Sequence, residues 1–99
     1  MEKYIILVEN ENYCNDFHCE IQITDDLYIA VITNEIHPDK SINAESSTEC
    51  YTKVAKYILD LGKIISVMST SETHKIQIFR SYIRIEEINR HLSKSGRDF

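Results

Sequence analysis

Hydrophobic and polar positions along this chain recur with one of two periods, and the switches between them mark its elements. Tyr4-Ile5-Ile6-Leu7-Val8 is an unbroken apolar run rich in β-branched side chains. It predicts a strand buried on both faces and central in its sheet. Glu9 to Asp16 is polar, holds Asn10, Asn12 and Asn15, and reads as a loop. Phe17, Cys19, Ile21 and Ile23 then alternate with His18, Glu20, Gln22 and Thr24, the period of a half-buried strand. Asp25-Asp26 separates it from a second strand, Leu27 to Thr33, so the pair reads as a β-hairpin. No Gly is present to fix the type of that turn. Asn34 to Ala44 contains the single proline, Pro38, and reads as a long exposed loop.

The period then changes to that of a helix. Ser46 and Glu49 have the spacing of a capping box. Behind them Tyr51, Val54, Ala55, Ile58 and Leu59 fall on one helical face, with Lys53, Lys56 and Asp60 outside it. Gly62 is the residue best suited to a left-handed C-terminal cap, which predicts a helix over 47–61. Lys63 to Ser69 and Lys75 to Arg80 read as two further strands around a polar turn, 70–73. After Phe79 the alternation slips. Ile85, Ile88 and Leu92 then keep helical spacing, with Glu86 and Glu87 in the first turn and Arg90, His91 and Lys94 in the last, as the helix dipole favours. That predicts a helix over 85–94 and a frayed tail at 95–99. The whole reads as one domain, 1–99, of the α+β class. Its expected form is an antiparallel five-stranded sheet with two helices packed on one face, in the order β-β-β-α-β-β-α. The other face of such a sheet is left open for binding.

Composition narrows the picture little, but charge changes it. The chain has 99 residues, 42% of them hydrophobic, and a net charge of −5. Residues 1–50 carry two lysines against eleven acids, a balance of −9, whereas residues 51–99 carry nine bases against five acids, a balance of +4. A division of this kind bears on partners and association rates rather than on fold. The Tyr4–Val8 run is too short for a secretory or transmembrane segment, and three cysteines cannot complete a disulfide framework. The expected setting is a reducing cytoplasm, with no membrane partner.

Candidate chemistry is sparse. Cys14, His18 and Cys19, with Cys50 or His74 as a fourth donor, offer zinc-type ligands, but His18 and Cys19 are adjacent on a strand and point to opposite faces. No metal or other cofactor is expected. His18, His37, His74 and His91 give no Cys–His signature, no G-x-S-x-G is present, and Gly62 and Gly96 cannot build a phosphate loop. Glu86 and Glu87 diverge on a helix, so no catalytic pair of acids arises there, and no enzymatic activity is expected. Lys75, Arg80, Tyr82 and Arg84 could form a small phosphate or RNA platform, although a sequence pI of about 5.3 opposes nucleic-acid binding. The acids are denser. Glu9, Glu11, Asp16, Asp25, Asp26, Glu35, Asp39 and Glu45 all fall in or beside loops, where recognition concentrates. Tyr13, Phe17, Tyr28 and Tyr51 could serve as aromatic anchors.

In size, acidity, compact β-rich layout and want of catalytic motifs, the chain resembles small immunity proteins of contact-dependent and polymorphic toxin systems. That resemblance lies in overall character, and no residue's role follows from it. It implies a non-enzymatic inhibitor docking an acidic surface on a basic, nuclease-type toxin domain. A phage-type anti-defence protein has the same character. The reading from another class is a nucleic-acid or nucleotide-binding module built on the basic half, and a small Cys- or His-centred enzyme is a third. A homodimer is compatible with all of them.

Overall fold

The computed structural model describes residues 1–70 and 74–96. Strands β1 (Glu2–Glu9), β2 (Cys14–Thr24), β3 (Leu27–Thr33), β4 (Lys40–Ala44) and β5 (Lys63–Ser69) accompany helices α1 (Ser47–Leu61) and α2 (His74–Gly96). The strands form one sheet in the order β4-β3-β2-β1-β5, and every adjacent pair is antiparallel. This is the expected α+β fold, with five antiparallel strands and two helices. The β2–β3 hairpin pairs Thr24 with Leu27, and Asp25 takes the positive φ (51°) that the tight turn requires.

Two elements differ from the expectation. The chain segment read as a loop contains β4, and the segment read as a fourth strand, Lys75 to Arg80, is the start of α2, so the order is β-β-β-β-α-β-α. Ile76, Phe79 and Ile83 are the buried positions of α2, a helical spacing, whereas Ile78 is exposed. Over six residues both periods fit the same apolar positions, and only the longer run decides. β4 is short, and its two inward residues, Ile42 and Ala44, alternate with Ser41 and Asn43 over too few positions to be distinguished from a loop. The second helix runs from His74 to Gly96 rather than over 85–94, so residues 95–96 are helical and only 97–99 of the expected tail lie outside the described residues. Of the expected turn, Ser71–Thr73 also lie outside them. β1 is interior, but it is buried on one face only: Tyr4, Ile6 and Val8 are buried, whereas Ile5 and Leu7 are half-exposed.

Register places one continuous apolar face toward the helices. Tyr4 pairs with Cys19 and Cys19 with Ile32, while Ile21 pairs with Ala30 and Ala30 with Ile42. Cys50, Tyr51, Val54, Ala55 and Ile58 of α1 and Ile76, Phe79 and Ile83 of α2 cover this face. Among the described residues two carboxylates are buried, Glu86 on α2 and, deepest in the layer, Glu2. Glu2, 7% exposed, accepts hydrogen bonds from Tyr4 Oη and Tyr51 Oη at 2.5 Å each and faces Lys75 Nζ at 3.9 Å. Phe79 packs on both tyrosines, with ring centroids 4.7 Å from Tyr4 and 5.5 Å from Tyr51.

Helix ends and sheet edges are closed by side chains. Ser46 Oγ accepts from the Glu49 N–H at 3.1 Å, and Glu49 reaches back to the Glu45 N–H at 3.2 Å, one residue beyond the usual box. Gly62 does not take the expected left-handed conformation; its backbone is extended (φ 172°). Glycine is needed there for space, because a Cβ would lie 2.5 Å from the Glu9 carbonyl oxygen and 3.0 Å from Val8 Cγ1. On one edge strand Lys53 Nζ donates to the Asn43 carbonyl at 3.0 Å. On the other, Arg80 Nη2 donates to the Val67 carbonyl at 2.6 Å, beside a register shift opposite Leu7/Val8.

Two predictions follow from this packing. Gly62→Ala forces α1 and β1 apart at the Glu9 carbonyl and should lower stability by about 1–3 kcal/mol in urea unfolding. A midpoint equal to that of the unsubstituted chain contradicts the close approach. Alkaline pH supplies the second. Burial first, then the bond to Glu2, push the Tyr4 and Tyr51 hydroxyls above the usual phenol range. Burial likewise raises the Cys19 thiol and pushes Cys50 up to about 11. All four are raised in the folded state, so the unfolded chain releases its protons first as pH rises. Stability should therefore hold below about pH 8.5, decline through the thiol window toward pH 11 and fall more steeply above about pH 10 as the tyrosines join. Constant urea midpoints between pH 8 and 11 exclude these burials.

Candidate functional site

Strand direction sorts the eight candidate acids into two groups. β1 ends, β2 begins, β3 ends and β4 begins at one end of the sheet, which gathers Glu9, Glu11, Asp16, Glu35 and Asp39. Asp25, Asp26 and Glu45 lie at the opposite end, in the β2–β3 turn and after β4. All eight are exposed, and among the described residues none of them forms an ion pair. The cations behave differently. Lys53 pairs with Glu49 at 2.8 Å and holds that carboxyl below its usual range, Arg90 pairs with Asp60 at 2.8 Å and Glu86 at 3.2 Å, and Lys75 faces Glu2. Four cations of the basic half, Lys53, Lys75, Arg80 and Arg90, are thus engaged within the fold, whereas the loop acids form no ion pair among the described residues.

The five-acid end is also ordered. Asn10 Oδ1 accepts from the Asn12 and Tyr13 N–H groups at 2.8 and 3.1 Å, while its Nδ2 donates to the Leu61 carbonyl at 2.8 Å. Asn34 repeats the device, accepting from the Ile36 and His37 N–H groups at 2.8 and 3.1 Å and donating to the Asp16 carbonyl at 2.9 Å. Asn favours such turns because its side chain replaces a backbone partner. Tyr13 Oη and His37 Nε2 then meet at 2.8 Å and join the two loops, with Phe17 packed against both rings. Ile36, 56% exposed, stands between Glu35 and Asp39 as an apolar contact point. A shallow groove lined by Asn15, Asp16, His18, Thr33, Asn34 and Glu35 connects this end to the open sheet face. Lys40, at the start of β4, is drawn inward over the Tyr57 ring at 5.6 Å from its centroid.

The remaining candidates separate. Cys14 and His18 are exposed on the open face of β2, while Cys19 and Cys50 are buried on its other side, so these donors do not converge. His74 has no described side chain. Lys75, Arg80, Tyr82 and Arg84 sit on α2 rather than on a strand and point in different directions. Lys75 faces Glu2, Arg80 closes the β5 edge, and Tyr82 stacks on Tyr51 and meets Thr48 Oγ1 at 2.9 Å. Arg84 alone faces outward, beside Glu87 and His91. Of the proposed aromatic anchors, Phe17 and Tyr51 are buried, while Tyr13 and Tyr28 are half-buried. The residues that organise the acidic end, Asn10, Asn34, His37 and Ile36, carry no motif. Their signal is an Asn opening each loop, with its N–H partners two and three residues on.

Asn34→Ala removes three hydrogen bonds from one loop and should raise amide exchange at Ile36 and His37 at least tenfold while costing about 1 kcal/mol of global stability. Unaltered exchange at both amides contradicts this account of the loop. Among the described residues no helix is long and apolar enough to cross a membrane. We found no match to this chain among protein families, curated proteins or solved structures.

Proposed function

We propose that this chain is a non-enzymatic inhibitor that docks the Glu9–Glu11–Asp16–Glu35–Asp39 end of its sheet into a positively charged cleft of a partner protein, in the manner of an immunity protein neutralising a nuclease-type toxin domain. One observation carries the reading: five exposed carboxylates, for which no ion pair is seen among the described residues, stand on or beside two loops that Asn10, Asn34 and the Tyr13–His37 bond hold in place. A nuclease cleft binds phosphates through fixed cations. A rigid set of carboxylates offers such a cleft the same charge while supplying no scissile bond. Field complementarity speeds the encounter and disfavours acidic partners. Because the loops are already ordered, little entropy is lost on docking. Ile36 supplies a desolvated contact within the charged rim.

The experiment pairs the purified chain with the C-terminal domain encoded by the gene immediately upstream and measures binding by titration calorimetry at several salt concentrations. Glu35→Lys/Asp39→Lys should weaken binding at least tenfold and flatten its salt dependence. Asp25→Lys/Asp26→Lys, at the far end of the sheet, should leave affinity within about threefold, since exposed charges beyond a Debye length are screened. Equal losses from both double variants, or none from the first, overturn the assignment of this end as the interface. Failure of the upstream product to bind overturns the inhibitor reading itself.

A further inference from the structure

Helix α2 carries a second apolar stripe that nothing among the described residues covers. Its buried positions, Ile76, Phe79, Ile83 and Glu86, recur at steps of three and four and face the core. Ile78, Ile85, Ile88 and Leu92 lie on the opposite side and are 47%, 51%, 46% and 61% exposed. Sequence periodicity identifies Ile85, Ile88 and Leu92 as the packing face of this helix, but the structure turns that face outward. Steps of seven, three and four are those of a seam between two helices. Arg84, Glu87, Ile88 and His91, with Leu92, line a hollow in the same surface. Residues at i, i+3, i+4 and i+7 are the four that form the hole receiving a side chain from a facing helix.

We propose that this surface joins two copies of the chain into a two-fold dimer through antiparallel pairing of α2. The stripe supplies both knob and hole, so one patch can be its own partner, as an isologous interface requires. With the two-fold axis between Ile85 and Ile88, each Ile85 meets Ile88 of the second copy. Arg84 and Glu87 flank the stripe three residues apart, and the antiparallel arrangement brings each Arg84 within a turn of the opposite Glu87. A parallel arrangement leaves Arg84 and Glu87 on the opposite side of the seam from their copies, so the pair cannot form, and it aligns the helix dipoles unfavourably. The other candidate self-contacts are interrupted by polar groups. Arg80 and Lys53 each occupy a carbonyl on one edge strand, and the open sheet face carries charged groups, Asp16 and the Lys3–Glu20 pair, at its centre. From Ile78 to Leu92 the stripe rises only about 21 Å along a single helix. It therefore buries less than the roughly 800 Å² per partner of a stable complex, and the expected dissociation constant is on the order of 10–100 μM. This association does not depend on the acidic end, which the pairing leaves exposed.

Sedimentation equilibrium of the full chain from about 5 to about 500 μM tests it. The expected result is a monomer–dimer equilibrium that Ile85→Asp/Ile88→Asp abolishes while far-UV circular dichroism and the urea midpoint stay unchanged. Arg84→Glu should weaken the dimer at least threefold, and adding Glu87→Arg should restore it. That charge exchange tests the pairing independently of the apolar substitutions. A monomer throughout the range overturns the proposal, as does a dimer that survives Ile85→Asp/Ile88→Asp. So does a monomer that instead binds phosphatidylglycerol–phosphatidylcholine vesicles through the intact stripe.

Discussion

One buried carboxylate holds the layers of this fold together. Glu2 opens β1 on the face that packs against the helices, where an unsatisfied charge would cost several kcal/mol. Its oxygens instead meet a hydroxyl from the same strand, a hydroxyl from α1 and, at longer range, an ammonium from α2. Each of the three elements that must come together contributes a donor. An apolar residue at this position could bury as much surface, but it would not specify which helix faces which. The Tyr4–Phe79–Tyr51 stack forms around this centre, so the polar contact also places the largest side chains of the core.

The same logic explains where charge ends up. Four cations of the second half, Lys53, Lys75, Arg80 and Arg90, are used within the layers, on Glu2, Glu49, Asp60 and Glu86 or on edge carbonyls. Among the described residues only Glu2 and Glu49 of the first half are paired in this way, so most of its acid excess is not cancelled by interleaving. It accumulates in the connections between strands, where desolvation is small and water screens each group. The fold thereby concentrates negative charge at the ends of the sheet and keeps its helical layer closer to neutral.

How far all this was legible in the sequence depends on the length of each signal. α1 was readable from Ser46 onward because two independent cues, a cap and a five-residue stripe, agree, and Gly62 marked its end although it is there for space rather than for a left-handed turn. The hairpin was readable because eight residues alternate before Asp25. Lys75 to Arg80 was not, since Ile76, Ile78 and Phe79 satisfy a strand and a helix alike, and β4 offers only two inward residues. Phe79's slip already belonged to the helical period, six residues before Ile85 made it obvious. The acids of the site were legible as residues but not as a surface. Asp25 and Glu35 are ten positions apart in the chain yet lie at opposite ends of one strand, a separation set by strand direction rather than composition. Asn10 and Asn34 marked loops in the sequence, but their organising role was not legible because it lies in backbone partners, which no side-chain pattern records.

The closed edges of the sheet carry a consequence for how this chain fails. The register shift beside Val67 and the guanidinium on its carbonyl leave β5 a poor template for another strand. That protection is borne by α2, so it lasts only while α2 is docked. Any event that lifts α2, even with the sheet intact, uncovers Lys63–Ser69, an apolar β-branched segment with a free edge. Aggregation of this protein should then begin from a native-like sheet rather than from the unfolded chain, and its nucleus should be the strand that a single arginine had kept silent.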